Sequence, residues 1–170
     1  MKPRDIIKVF WYGYTHWAIV DSIEKKKVWC YHITNLVNNF STNAQLKREV
    51  LEEVAGEYRY TIDNQETKGQ MLLKLNHQEL PMYNIVRGIL KEFEDRTVNY
   101  NLFDLNCGHF ATFCKYGIGW STQAEIARLH QAVDPGNMFI FDKSPVLGNL
   151  EDWIRNSLIK TLEIFLTGKI

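Results

Sequence analysis

The sequence predicts an α+β domain over residues 1–123 and a C-terminal extension over residues 124–170. Of the 170 residues, 45% are hydrophobic, which suffices for a core and, at this length, favours one domain over two. The first third of the chain indicates paired strands, because aromatic and β-branched residues recur there between turn formers. Later segments repeat their apolar residues at helical spacing instead.

The first third of the chain predicts hairpin-connected strands. The predicted elements are strands over 5–11, 15–21 and 27–33, a bend over 12–14, and a solvated hairpin tip over 24–27. The charged tip is typical of an exposed turn rather than a binding site. On the third strand Cys30 and His32 share a face, since they are two residues apart.

The middle of the chain mixes both kinds of element. The predicted elements are a loop over 35–42, a charged helix over 45–53 ending near Gly56, a strand over 59–63, a polar connection over 63–70, a helix from Leu80-Pro81 to about Glu94, and a strand over 98–105. Proline suits the first turn of a helix, and the apolar positions from Ile85 to Phe93 share one face.

A short helix is predicted to begin at Cys107. Asn106 can cap it, Phe110 and Phe113 follow at helical spacing, and Gly117 ends it. At a helix N-terminus a thiol meets unpaired backbone N–H groups and the positive end of the helix dipole. Both favour the thiolate, so we expect an acidic and nucleophilic Cys107.

The C-terminal extension carries weaker patterns. They predict a helix over 121–133, a turn over 134–137, a short apolar piece over 138–141, and an amphipathic helix over 150–166. Asn149 is a candidate cap for this last helix.

Bulk composition excludes several partners. The chain has 20 basic and 20 acidic residues, so no net field recruits nucleic acid, and we expect no nucleic-acid partner. Three cysteines and no evident signal peptide predict a reducing, cytoplasmic setting. The uncharged run over 9–20 is well short of the roughly 20 residues of a membrane-spanning helix.

Three residues from distant segments form a candidate catalytic group. Acyl transfer needs a nucleophile, a base, and a group that fixes the tautomer of the base. Cys107, His16 and His32 can supply these in that order. Beside the backbone N–H of Cys107, Tyr14 is the candidate for a second oxyanion donor.

A zinc site is the competing interpretation, because zinc uses the ligand types of Cys30, His32, His16 and Cys107. The sequence holds no Cys-x-x-Cys or His-x-x-x-His pair, so we expect no metal. His109 should point away from the nucleophile and pack or hydrogen-bond inside. Cys114 should fill the core.

Several motifs together resemble the lecithin:retinol acyltransferase-like (H-box/NC) family over about residues 2–123. They are Lys2-Pro3-Arg4-Asp5, His16-Trp17-Ala18-Ile19, His32, Val54-Ala55-Gly56 followed by Tyr60, Leu80-Pro81, and Asn106-Cys107-Gly108-His109-Phe110. Within this family the chain looks most like the phospholipase A and acyltransferase proteins.

The resemblance implies a circularly permuted papain-like fold of the NlpC type, with an antiparallel sheet packed against helices. It places the family's base, second histidine and acyl-accepting cysteine on His16, His32 and Cys107. The implied enzyme is a thiol-dependent phospholipid acyltransferase or phospholipase A. Its acyl-cysteine intermediate would pass the acyl group to water, a lysophospholipid or an amine, without a cofactor.

Three features depart from the family pattern. Gly108 stands where the family has an acidic residue, which removes a negative charge from the helix start. Arg4 replaces the glycine of the opening turn. The tail over 150–166 carries charges where many members have a hydrophobic anchor, so we expect it to pack on the domain, or to make a peripheral membrane contact.

Two alternatives accompany the enzyme hypothesis. Gly108 and the unusual tail favour a catalytically weak or inactive H-box/NC interaction protein of the same fold, either viral or regulatory. The same cysteine and histidines could also serve a peptidase or amidase, against which only the resemblance to lipid-handling members argues.

Overall fold

The computed structural model describes residues 1–34, 43–66, 83–100, 106–116 and 119–124. Its strands are β1 (Ile6–Trp11), β2 (Tyr14–Glu24), β3 (Lys27–Thr34), β4 (Asn43–Val50), β5 (Tyr60–Ile62) and β6 (Thr97–Asn99). Its helices are α1 (Leu51–Ala55), α2 (Tyr83–Phe93) and α3 (Cys107–Tyr116). These elements confirm the predicted α+β class.

Within the described residues the strands form one six-stranded antiparallel sheet in the order β5-β1-β2-β3-β4-β6. The three strands predicted at the start of the chain are confirmed as β1, β2 and β3. Gly13, with a φ of +82°, makes the predicted bend between β1 and β2, because glycine adopts this left-handed conformation readily. The sheet therefore begins as two consecutive hairpins.

Helices cover both faces of the sheet. On one face, α1 packs on a cluster made of Ile7, Val9, Ala18, Val20, Cys30, Leu51, Val54 and Ala55. On the other face, α2 and α3 pack on strands β2, β3 and β4 through Ile19, Tyr31, Ile33, Ala44, Leu46, Val86, Leu90, Val98, Phe110, Phe113 and Cys114. Such burial is the main driving force for the packing of helices on a sheet.

The helix predicted over residues 45–53 is wrong. Residues up to Val50 extend as β4, and the helix is only Leu51–Ala55. Ala44 and Leu46 are buried while Gln45 and Lys47 are partly exposed, which is the period of two that a strand has. Pairing along β3 therefore overrides the helical preference of this charged segment.

A buried carboxylate ties the two layers together. The β2–β3 register shifts between Val20 and Ser22, which makes Asp21 a bulge residue. Nε of Arg48 on β4 donates to Asp21 at 2.8 Å, and Arg87 on α2 donates to both of its carboxylate oxygens. Burial raises the pKa of Asp21, but the bonds and charges of Arg87 and Arg48 outweigh it and lower the pKa below its ordinary value.

The opening turn is bound to α3. Arg4, which replaces the family glycine, has a φ of +73°, the left-handed conformation that glycine tolerates best. Its carbonyl accepts from Nζ of Lys115 at 3.1 Å, and its guanidinium donates to the carbonyl of Lys115 at 3.4 Å. These contacts join the first residues to the last described helix.

Several predicted elements lie wholly or partly outside the described residues. They are the loop over 35–42, the connection over 63–70, the start of the helix at Leu80-Pro81, the strand beyond Tyr100, and the extension after residue 124. The division at residue 123 stays a prediction. Among the described residues, no helix has the length and apolar character needed to cross a bilayer.

Candidate active site

The two predicted histidines meet across the β2–β3 hairpin. Register places Ala18 opposite His32, so His16 lies just beyond the paired segment on the same face. Nε2 of His16 and Nδ1 of His32 are 2.9 Å apart, within hydrogen-bonding distance. Both side chains are buried, with 3% and 2% exposed. The structure therefore brings this predicted pair together.

Neighbouring strands hold both rings in place. Nε2 of His32 lies 3.0 Å from Oε2 of Glu49 on β4, which makes a second link of a relay. Trp11 at the end of β1 stacks on the His16 ring, with centroids 4.2 Å apart and planes 3° apart. The Trp11 indole in turn donates to the carbonyl of Val54 at 3.2 Å. The face of the imidazole is therefore fixed by packing.

The N-terminus of α3 is capped as predicted. Oδ1 of Asn106 accepts the backbone N–H groups of Gly108 and His109 at 2.9 and 3.1 Å. Nδ1 of His109 accepts the backbone N–H of Asn106 at 3.4 Å, which makes the cap reciprocal. His109 therefore hydrogen-bonds inside, as expected, and Cys107 occupies the first position of the helix.

The thiol of Cys107 lies against the backbone of β2. The β2–β3 pairing begins at Ala18, and the preceding amide, that of Trp17, donates to Sγ of Cys107. Trp17 follows His16 directly, so the sulfur sits one residue along the chain from the buried imidazole. This contact joins segments 90 residues apart.

One tyrosine is hydrogen-bonded with the same sulfur, and the pKa of a second responds to it. The phenol of Tyr100, just after β6, hydrogen-bonds with Cys107. Burial and the nearby Cys107 raise the pKa of Tyr14 to about 12, so its hydroxyl stays protonated. Tyr14 also packs edge-on against Trp11, with ring centroids 5.3 Å apart. Both phenols thus keep their protons at neutral pH, and the phenol of Tyr100 is hydrogen-bonded with the sulfur.

Burial sets the protonation of the free site. It raises the pKa of Cys107 to about 11, although the N–H groups of Trp17 and Gly108 and the phenol of Tyr100 oppose it. Burial, aided by His32, lowers the pKa of His16 well below its ordinary value. The prediction of an acidic thiol is therefore wrong: the thiol of Cys107 and the imidazole of His16 are both neutral at pH 7, because desolvation outweighs the helix dipole.

Gly108, the residue after Cys107, is sterically constrained. A Cβ on Gly108 would lie 2.8 Å from Oγ and 3.1 Å from Cβ of Ser121. Ser121 is positioned through Trp120, the residue before it. The hydroxyl of Thr112 accepts from the backbone N–H of Trp120 at 2.9 Å and lies 2.8 Å from its carbonyl oxygen. A side chain at position 108 would therefore collide with Ser121.

The remaining candidate ligands do not form a metal site. Among the described residues, no group of three or more His, Cys, Asp or Glu side chains is arranged to hold a metal ion. Cys30 packs under α1, and burial raises its pKa to about 12. Cys114 fills the core below α3, as expected.

Three residues of the site were not predicted: Glu49, Trp11 and Tyr100. Glu49 lies within the helix predicted over 45–53. The sequence signal for a strand there is the apolar residue at every second position, Ala44 and Leu46. Trp11 was predicted on a strand, but nothing in the sequence pairs its ring with His16. Tyr100 alternates with Val98, which predicts a strand, but nothing in the sequence indicates that its hydroxyl contacts the sulfur of Cys107.

An antiparallel sheet carrying a buried histidine pair, with a cysteine at a helix start beside it, defines a class of candidate thiol enzymes. Residues 1–119 match the family model described as lecithin retinol acyltransferase. The chain belongs to this family, and the resemblance drawn from the sequence motifs is confirmed.

The curated relatives share modest identity with the chain. Human phospholipase A and acyltransferase 1 is 33% identical over 138 residues, which cover 74% of this chain and 73% of the relative. Human phospholipase A and acyltransferase 4 is 27% identical over 140 residues, covering 78% and 80%. Human phospholipase A and acyltransferase 5 is 28% identical over 142 residues, covering 79% and 47%.

Proposed function

We propose that the chain is a thiol-dependent phospholipase A and acyltransferase that acts through an acyl-cysteine intermediate. The observation that carries the proposal is the hydrogen bond from the Trp17 amide to the Cys107 sulfur, next to the hydrogen-bonded pair of His16 and His32. Membership of the family and the names of its relatives support the substrate class, a glycerophospholipid.

In the first half of the reaction, the sulfur of Cys107 attacks an ester carbonyl carbon of the phospholipid. His16 takes the thiol proton as the S–C bond forms, because a neutral imidazole is the form that accepts a proton. The backbone N–H of Cys107 and the hydroxyl of Tyr14 stabilise the oxyanion. When the C–O bond breaks, the imidazolium returns the proton to the leaving lysophospholipid alcohol.

In the second half, an acceptor resolves the thioester. Water, a lysophospholipid hydroxyl or an amine gives a proton to His16 and attacks the thioester carbonyl. The C–S bond breaks and the sulfur recovers the proton, which regenerates the thiol of Cys107. No cofactor enters either half. His32 orients His16 throughout, and the enzyme meets its substrate through a peripheral contact with the membrane surface.

A circularly permuted papain-like arrangement is part of the proposal. In the chain the histidines precede the cysteine, and the cysteine helix packs on the strand that carries the base. The antiparallel sheet with helices on both faces supports this arrangement.

Substitution of Cys107 tests the reaction directly. Cys107→Ala should abolish fatty-acid release from phosphatidylcholine vesicles, because no thioester can form. Incubation of the wild type with a labelled phospholipid should add the mass of one acyl group to the Cys107 peptide. Cys114→Ala, a buried cysteine on the same helix, is the matched control and should keep both signals. Undiminished release by Cys107→Ala would refute the proposal.

One observation favours a second candidate function, a catalytically weak or inactive interaction protein of the same fold. The Cys107 side chain is only 2% exposed and its pKa is about 11, and both properties oppose attack on a large lipid. Wild-type protein that neither releases fatty acid nor acquires an acyl group would favour this candidate. Acyl transfer to Cys107 would eliminate it.

A further inference from the structure

The histidine pair continues into a carboxylate on a third strand. His16 on β2, His32 on β3 and Glu49 on β4 lie on neighbouring strands and on the same face of the sheet. The two links are 2.9 and 3.0 Å long. The Glu49 side chain is 36% exposed, so the relay runs from a buried imidazole to the edge of the solvent.

The relay determines which nitrogen of each ring carries a proton. An ionised carboxylate only accepts hydrogen bonds, so Nε2 of His32 must carry a proton to bond Glu49. With both rings neutral, Nδ1 of His32 then has the free lone pair, and Nε2 of His16 must donate to it. The lone pair of His16 is thereby placed on Nδ1, the nitrogen not used in the relay.

Several charged groups face Glu49. The hydrogen bond from His32 lowers the pKa of Glu49, so the carboxylate is ionised at neutral pH. Lys47 on the same strand lowers this pKa as well, whereas Asp95, in the turn after α2, raises it. Lys47 also forms an ion pair with Asp95 at 2.9 Å. Glu49 is therefore the charged group within hydrogen-bonding distance of the histidine pair.

We infer that Glu49 is a positioning residue, which fixes the tautomer of His32 and, through it, makes Nδ1 of His16 the basic nitrogen. This inference rests on the proposed function for its catalytic consequence, but the tautomers themselves exist without substrate. The carboxylate also stabilises the imidazolium formed when His16 takes the proton. A pair of histidines alone would leave either tautomer available.

Three variants of the full chain separate charge from hydrogen bonding. In Glu49→Gln the amide oxygen still accepts from His32, but the charge is gone. In Glu49→Ala both are gone. Glu53→Gln removes the charge of an exposed glutamate on α1 and is the matched control.

Nitrogen NMR of the histidine rings reads the tautomers without substrate. The wild type, Glu49→Gln and Glu53→Gln should show His32 and His16 protonated on Nε2, while Glu49→Ala should show a mixture. Identical tautomers in the wild type and Glu49→Ala would overturn the inference, as would a His32 ring protonated on both nitrogens at pH 7.

Kinetics on phosphatidylcholine vesicles supply the second readout. Glu49→Ala should lower kcat by about 10- to 100-fold, by analogy with the loss seen when a carboxylate that orients a metal-bound histidine is removed, with KM little changed. In Glu49→Gln the loss should be smaller, and the acid limb of the pH profile should move to lower pH, because the histidine pair loses a stabilising negative charge. An unmoved limb with an unchanged kcat would overturn the inference.

The two proposals fail in different ways. If the wild type shows the expected tautomers but releases no fatty acid, the proposed reaction is wrong and the role of Glu49 in the relay stands. If the wild type is active and Glu49→Ala is equally active, the reaction stands and the inference about Glu49 is wrong.

Discussion

At the scale of single residues, the protonation of Cys107 decides how the site reacts. Burial raises the pKa of the thiol to about 11 and lowers that of His16 well below its ordinary value. A pre-formed thiolate–imidazolium pair requires the reverse order of these two pKa values. In the proposed reaction the proton therefore moves to His16 during attack rather than before it.

Alkylation of Cys107 by iodoacetamide should follow this order of pKa values. Thiolate is the reactive form and appears only as pH rises toward about 11, so the rate should climb continuously from pH 6 to pH 10. Mass analysis of the Cys107 peptide after timed quenching gives the rate. The peptide of Cys30, whose pKa burial raises to about 12, is the internal comparison. A flat, rapid rate between pH 5 and pH 8 would show an ion pair instead.

Residue chemistry was the most predictable part of the site. His16 and His32 lie on paired strands and Asn106 caps the helix, because strand alternation and capping are local rules that the chain itself displays. The pKa of Cys107 was not predictable in the same way. The helix dipole can be inferred from position, but the burial that outweighs it arises only when distant segments pack.

At the scale of elements, the start of α3 has no space for a side chain at position 108. Gly108 leaves no space for a Cβ, because Oγ of Ser121 would lie 2.8 Å from it and Oδ1 of Asn106 3.1 Å from it. By contrast, Gly88 on α2 has nothing within 4 Å of the place where its Cβ would be. The two glycines thus lie on helices but differ in whether a side chain can be added.

Alanine substitutions should separate these two cases. Gly108→Ala should destabilise the protein by about 1 kcal/mol, because overpacking exceeds the helical gain of alanine. In a Ser121→Gly background the loss should be smaller, because the contacts with Ser121 are gone while Oδ1 of Asn106 still lies 3.1 Å from the added Cβ. Gly88→Ala, the matched control, should stabilise by about 0.5–1 kcal/mol in either background.

Urea unfolding of the four variants of the Gly108 and Ser121 cycle measures these effects. An equal effect of Gly108→Ala in both backgrounds would show that Ser121 does not constrain the helix start.

Strand β4 shows where element prediction failed. Lys47, Arg48 and Glu49 favour a helix when only neighbours in the sequence are considered. In the sheet they become a strand, because β3 offers hydrogen bonds and a matching face. The segment predicted as a helix contains Glu49, so the wrong element concealed the carboxylate that contacts His32.

At the scale of the whole molecule, the layers are joined by the carboxylate of Asp21. Arg48 reaches it from within the sheet and Arg87 reaches it from α2. Since the pKa of Asp21 is lowered in the folded state, its ion pairs stabilise the fold above its unfolded pKa of about 3.9. That contribution is lost as pH falls through the folded pKa.

Arg87→Met should therefore destabilise the protein by about 1.5–3 kcal/mol at pH 7, the range for hydrogen bonds to charged groups. The difference from wild type should shrink as pH falls below about 4, because protonated Asp21 no longer attracts the guanidinium. Urea unfolding at several pH values measures both effects.

Lys91→Met, at an exposed position on the same helix, is the control and should change stability by less than about 0.5 kcal/mol. A loss in Arg87→Met that is equal at pH 3 and pH 7 would contradict an electrostatic role for Arg87.

The contacts of Arg4 with Lys115 and of Trp17 with Cys107 join the first strands to a helix that is synthesised much later. During translation the histidine hairpin leaves the ribosome about 90 residues ahead of the cysteine. Pairings between such remote segments form slowly. Until these segments pair, the thiol of the newly synthesised chain is not yet buried, and oxidants and electrophiles can reach it most easily.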